Sequence, residues 1–274
     1  MLLSLDSGVS ALEQFQQSLN VIANNIANVN TVGFKSATVD FADTLSQTLG
    51  SDAAGTMQVG TGIMTASINN QFTPGSISST GVQSDMAING NGFFEVKDPT
   101  TGNTFVTRDG EFTKDPNGYL VTSSGMRLQG YSDAGLTTVG DVKIDGTGNS
   151  AGSTAAVQSY LINNNGTITV TLSDGTPSFT RGQVLLQNFS NPEQLVKVGG
   201  NLYSNLATAG PLAAPVAPGS NGLGGLNSGS LEMSNVDLAQ ELTSLITTQR
   251  AYEANSKVIT TSDDVLQTLV NLKR

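Results

Sequence analysis

Three carboxylates, Asp109, Glu111 and Asp115, lie in one short stretch, and a carboxylate pair can hydrolyse a glycan, one group giving a proton while the other takes one or attacks carbon. The same stretch holds Asp109-Gly110 and Asn117-Gly118. Asp or Asn before Gly is what a tight turn uses: the side chain accepts a bond from the backbone ahead and the glycine takes the left-handed conformation. The turn role is therefore preferred. Gly90 and Gly92 lack the third glycine and following helix of a dinucleotide fingerprint, so no cofactor is expected there. The chain has no histidine and no cysteine. That removes the commonest general base, the commonest zinc ligand and the thiol nucleophile at once. No catalytic residue, cofactor or metal site is expected, and the chain reads as a protein that is not an enzyme.

Composition narrows the partners. Among 274 residues, 12 Lys and Arg stand against 22 Asp and Glu, a formal charge of −10. Such a chain has no sequence-independent grip on nucleic acid phosphates or anionic lipid. No stretch reaches the length and apolarity of a membrane span, and no basic segment followed by an apolar run marks a cleaved signal. The 37% apolar content supports a modest core.

What must be positioned is a set of apolar stripes rather than a reactive centre. Leu5, Leu12, Leu19 and Ile26 recur every seventh residue, and Phe15, Ile22 and Val29 form a second series of that period, with Gly8 its one gap. At the other end Leu238, Leu245, Tyr252, Ile259 and Leu266 repeat in the same way, joined by Leu242 and Val270. A seven-residue repeat puts an apolar stripe along a helix, and a stripe needs another helix to cover it. Both termini thus read as helices paired in a coiled coil. A separate row through Val258, Val265 and Leu272 gives the C-terminal helix a further surface to satisfy. Ser234 with Asp237 resembles a capping box and predicts a helix starting near Asn235.

Between the ends the pattern changes. Residues 33–63 read as an extended linker, with Gly33, Gly50 and Gly55 as points where it could bend. From 64 to 231, short alternating runs are separated by turn pairs such as those in Asn89-Gly90-Asn91-Gly92, Asn117-Gly118 and Ser124-Gly125, which predicts an antiparallel, hairpin-rich β domain. Residues 145–183 form either a subdomain or a decorated loop within it. The fold class expected is α+β, with helices at 1–32 and 232–274 paired as a coiled coil and an all-β middle.

Five asparagines fall between Asn20 and Asn30. Short amides compete for backbone partners and are poor choices for a solvated helix, but they suit a crowded interface. Asn25-Ile26-Ala27-Asn28, Asn30-Thr31 and Gly33-Phe34 resemble the signature of the bacterial flagellar rod and hook axial proteins. So do Phe41-Ala42-Asp43, Ile88 to Phe94, Thr107-Arg108-Asp109-Gly110, Asn188-Phe189, Asn201-Leu202-Tyr203, Ser228 to Asp237 and Gln249-Arg250-Ala251-Tyr252, in the family's order. The resemblance is nearest to a short flagellar hook protein, with the distal rod protein as the alternative and a surface adhesin or phage-tail component further off.

The resemblance implies a subunit that assembles with itself into a helical tube. A hook would transmit torque as a flexible joint, a distal rod as a rigid drive shaft. It further implies neighbouring axial, cap and junction proteins as partners, passage through the flagellar type III export apparatus without a cleaved signal, and a place in the extracellular hook or the distal basal body. The expected assembly interface is Leu5, Leu12, Phe15, Leu19, Ile22, Asn25, Ile26, Asn28 and Val29 at one end and Leu238, Leu242, Leu245, Tyr252, Ile259 and Leu266 at the other.

Overall fold

The computed structural model describes residues 2–52, 55–148, 155–175, 177–212 and 214–272. The chain divides into two compact units: Met1–Val29, Lys35–Gln71 and Val236–Arg274 in one, and Asn30–Phe34 with Phe72–Asn235 in the other.

The first unit holds both long helices. Helix α1 spans Leu2–Ala27. Where it ends, the Asn24 carbonyl accepts twice from Asn28, from the backbone N–H at 3.2 Å and from the side-chain amide at 2.9 Å. The next elements are strands β1 (Ala37–Asp43), β2 (Ser46–Asp52), β3 (Gly55–Gly60) and β4 (Ile63–Asn70). β1 pairs with β4 and β2 with β3, both antiparallel. The expected linker is thus a two-tier hairpin. Its tiers are stitched by Thr44 N–H to the Gly62 carbonyl and by Thr61 Oγ1 to the Leu45 carbonyl. Gly50 and Gly55 lie within the ladder of β2 and β3. The reason is period-two alternation in β4, where Ile63, Thr65, Ser67 and Asn69 share one face and Met64, Ala66 and Ile68 the other. That signal is diluted by a partner strand about two dozen residues away.

The second unit is the β domain, and it starts at Phe72 rather than at 64. Its main sheet runs, neighbour by neighbour, through Val157–Ile162, Thr167–Leu172, Phe179–Val184, Arg127–Tyr131, Phe93–Lys97, Thr104–Thr107, Leu202–Ser204 and Val196–Gly199, with every pairing antiparallel. The strands between 157 and 184 belong to this sheet, and Ile162, Ile168, Val170 and Leu172 enter its core with Phe94, Phe112 and Leu128. They are therefore neither a separate subdomain nor a loop. A single-turn helix, α2, spans Leu206–Ala209.

Asp145 ties this region down. It accepts from Arg181 Nε at 2.6 Å and pairs with Lys143 Nζ at 3.0 Å. Burial alone would push its carboxyl up, but the bonds from Arg181, Thr147 and Lys143 outweigh burial and hold it well below the usual carboxylate range. A carboxyl depressed on folding contributes stability above its unfolded pKa and loses it as pH falls toward the folded value. The β domain should therefore lose stability on acidification below about pH 4, and Asp145→Asn should flatten that loss in denaturant titrations at successive pH values.

The chain re-enters the first unit for α3, Leu238–Leu272. Its cap is Asp237, whose Oδ1 accepts the Ala239 N–H at 2.8 Å and the Gln240 N–H at 3.3 Å. The cap is thus Asp237 rather than Ser234 and the helix starts three residues later than Asn235, because Asp237 supplies the acceptor that the first turn needs. Among the described residues no helix is long and apolar enough to cross a membrane.

Candidate assembly interface

In the first unit α1 packs on α3 and on the β1–β4 ladder. Two contacts fix the direction of the helix pair. A Cβ on Gly8 would stand 3.2 Å from Ile259 Cγ1, and Asn25 Nδ2 donates to Glu241 Oε1 at 3.0 Å. As α1 advances from 8 to 25, α3 retreats from 259 to 241, so the helices are antiparallel. The gap at Gly8 in the second heptad series has a physical cause: the missing side chain is the space that Ile259 occupies.

The best-covered positions of α1 are Gly8, Ala11, Ile22 and Asn25. With Phe15 and Ser18 they step by three and four residues, a heptad seam richer in small residues than the leucine stripe. Leu5, Leu12, Leu19, Ile26 and Val29 are half-buried, as are Leu245, Tyr252, Ile259 and Leu266 on α3. Phe15 meets Phe41 of β1 edge-on, with ring centroids 6.1 Å apart, so it serves the hairpin. Leu238 and Leu242 are exposed. Sequence reasoning missed Ala11 because a small residue gives no apolar signal.

Asn25 justifies the asparagine-rich segment. It is 1% exposed, its Nδ2 donates to the Ala37 carbonyl at 2.9 Å, and its Oδ1 accepts the Ala37 N–H at 3.0 Å. One side chain thereby mimics a β-ladder rung to the first residue of β1 while also reaching Glu241 of α3. Burial raises the Glu241 pKa and the Asn25 bond opposes it. A cleft of about 280 Å³, lined in part by Ile22, Ala37 and Glu241, adjoins this junction. Asn25→Ala would leave the Ala37 N–H and carbonyl without their side-chain partner. Water entering the cleft would offset part of that, so a cost of about 2 kcal/mol is expected, read as a lower denaturation midpoint of the first unit.

The second unit has its own junction, at the residues next to its chain entries. The Gly33 N–H donates to the Glu232 carbonyl at 2.8 Å, and the Gly75 N–H to Glu232 Oε1 at 2.9 Å. Arg108 Nη1 reaches Glu232 Oε2 at 3.3 Å and the Gly90 carbonyl at 2.9 Å, while its guanidinium lies 4.9 Å from the Phe93 ring centre. Arg108 and Glu232 are 2% and 1% exposed. Burial lowers the Arg108 pKa and the Glu232 charge opposes that. Asn235 Nδ2 bonds Thr73 Oγ1 at 2.8 Å, and Asn201 Nδ2 the Val32 carbonyl at 2.7 Å. Gly33 is closely packed: its φ is +66° and a Cβ there would lie 2.6 Å from the Asp109 backbone nitrogen. The carboxylates first suspected of chemistry build turns, Asp109 accepting the Glu111 N–H at 3.0 Å and Asp115 the Tyr119 N–H at 2.8 Å.

Three family descriptions match the chain: "Flagella basal body rod protein" over 5–35, "Flagellar hook protein FlgE/F/G D1 domain" over 87–170, and "Flagellar basal body rod FlgEFG protein C-terminal" over 227–272. The flagellar basal-body rod protein FlgG of Bacillus subtilis (strain 168) is 41% identical over 282 residues, covering 100% of both chains. The chain belongs to the flagellar rod and hook axial family. A FlgG of Buchnera aphidicola subsp. Baizongia pistaciae is 38% identical, covering 95% of each chain. The flagellar hook protein FlgE of Salmonella typhimurium is 28% identical, in an alignment of 416 residues that covers 99% of this chain and 100% of the hook protein. Members of this family are structural proteins of the flagellum and not enzymes. The comparisons reverse the order of the two sequence readings: rod relatives stand nearer than the hook relative. Phe41-Ala42-Asp43 and Glu232 to Asp237 look more like the hook and favour that reading, but rod and hook proteins share these motifs.

Proposed function

We propose that this chain is the subunit of the distal flagellar rod, a straight tube that carries torque as a rigid shaft. The observation that carries the reading is the identity of 41% to a FlgG along the whole of both chains. The hairpin supports it independently. Hydrogen-bonded ladders that pair 37–43 with 63–70 and 46–52 with 55–60, with Gly50 and Gly55 held in β2 and β3, resist bending where a slack linker would permit it.

In this reading α1 and α3 pair as an antiparallel coiled coil that lines the tube. Leu5, Leu12, Leu19, Ile26, Leu245, Tyr252, Ile259 and Leu266 flank the seam, while Leu238 and Leu242 meet other copies. Asn25 sets the register, since a buried amide with fixed partners penalises any slipped pairing. The subunit would cross the flagellar type III export apparatus unfolded, without a cleaved signal, and join neighbouring axial proteins at either end of the rod. Electron microscopy of tubes grown from the purified chain tests the reading. Straight tubes are expected, and tubes that supercoil would restore the hook.

A further inference from the structure

Helix α3 carries two apolar rows that nothing in its own unit covers. Leu238, Leu242 and Ile246 lie near its start, Val258, Val265 and Leu269 near its end, all between 43% and 56% exposed. Glu241 and Ile259, which touch α1, define the direction of the seam. At roughly 100° per residue, the first row is turned about a quarter of a circle to one side of that seam and the second about as far to the other.

Each row stops where its flank turns polar. Gln249 and Glu253 follow the first row on its flank, and Gln240, Thr243 and Thr247 precede the second on the other, all exposed. Parallel copies set side by side without offset would therefore press Leu242 against polar side chains. An offset of about 23 residues, roughly 35 Å of helix, instead sets Leu242 on Val265 and Ile246 on Leu269, one turn apart in both rows.

We infer that α3 is a staggered side-to-side connector: the starting row of one copy docks on the ending row of a second copy, displaced by about 35 Å along the helix. The inference rests on the tube reading above and adds which surfaces meet. Using different patches on the two partners makes the contact heterologous, and the displacement along the helix makes it propagate as an open filament rather than close into a ring. Pairing of like row with like row would close after two copies and leave the other row bare.

The chain lacks cysteine, so disulfide trapping needs no background mutations. Leu242→Cys and Val265→Cys, made singly and together, are assembled, checked for tubes by electron microscopy, and oxidised. The double variant should give a ladder of linked multimers, a mixture of the two single variants should give dimers, and either single variant alone should give none. Ile246→Cys with Leu269→Cys, at the same offset, repeats the test where the first pair fails to assemble. Tubes in which neither pair links, or in which a single variant links to itself, overturn the stagger and leave the rod reading standing. If the native chain forms no tubes, the rod reading falls and the stagger falls with it.

Discussion

Replacing Glu232 with alanine should destabilise the β domain by about 3–5 kcal/mol, the cost of leaving one partner of a buried ion pair uncompensated. The magnitude follows from burial. Arg108 is 2% exposed, and no solvent reaches its guanidinium to take over from the lost carboxylate. Alanine also leaves the Gly75 N–H without its acceptor. Glu232→Gln keeps an oxygen for Gly75 but no charge for Arg108, so its loss should fall between the alanine variant and the native chain. Denaturant unfolding monitored on the β domain checks the order. An alanine variant within about 1 kcal/mol of native, the range of an exposed pair, would mean that the pair does not hold the junction.

Gly33→Ala carries the second large effect, for a reason that separates a packed glycine from a hinge. The positive φ costs an alanine about 1–2 kcal/mol. The new Cβ would also lie 2.6 Å from the Asp109 nitrogen and 2.7 Å from the Arg108 carbonyl carbon. Both are backbone atoms that cannot rotate away, and overpacking of this kind adds about 1–3 kcal/mol. Gly81→Ala is the control, since Gly81 has φ +74° with nothing within 4 Å of the added atom. The first variant should lose measurably more stability than the second. Equal losses would show that Gly33 has room to move.

The helices were legible because a seven-residue repeat survives in sequence whatever the partner does. Asn25 was legible as an interface candidate because short amides are poor choices for a solvated helix, although of the five asparagines from Asn20 to Asn30 it alone is buried, while Asn20, Asn24 and Asn30 are exposed. The small-residue seam at Gly8 and Ala11 was not, since what those positions contribute is absent volume. The hairpin was hidden because β1 and β4 are separated by a polar, glycine-rich excursion, so each strand read alone looks like linker. Arg108 and Glu232 were both quoted within motifs, yet nothing periodic joins residues 124 positions apart. Scarcity was the available clue: only 12% of the residues are charged, so an arginine and a glutamate inside apolar segments invite pairing.

Rod and hook could not be told apart from the motifs. Electron microscopy of cells lacking this gene addresses that most directly, by where the flagellar structure stops. The distal rod reading predicts basal bodies that end short of the distal rod, with no hook beyond. Basal bodies with a complete straight rod, missing only the curved tube, would contradict it.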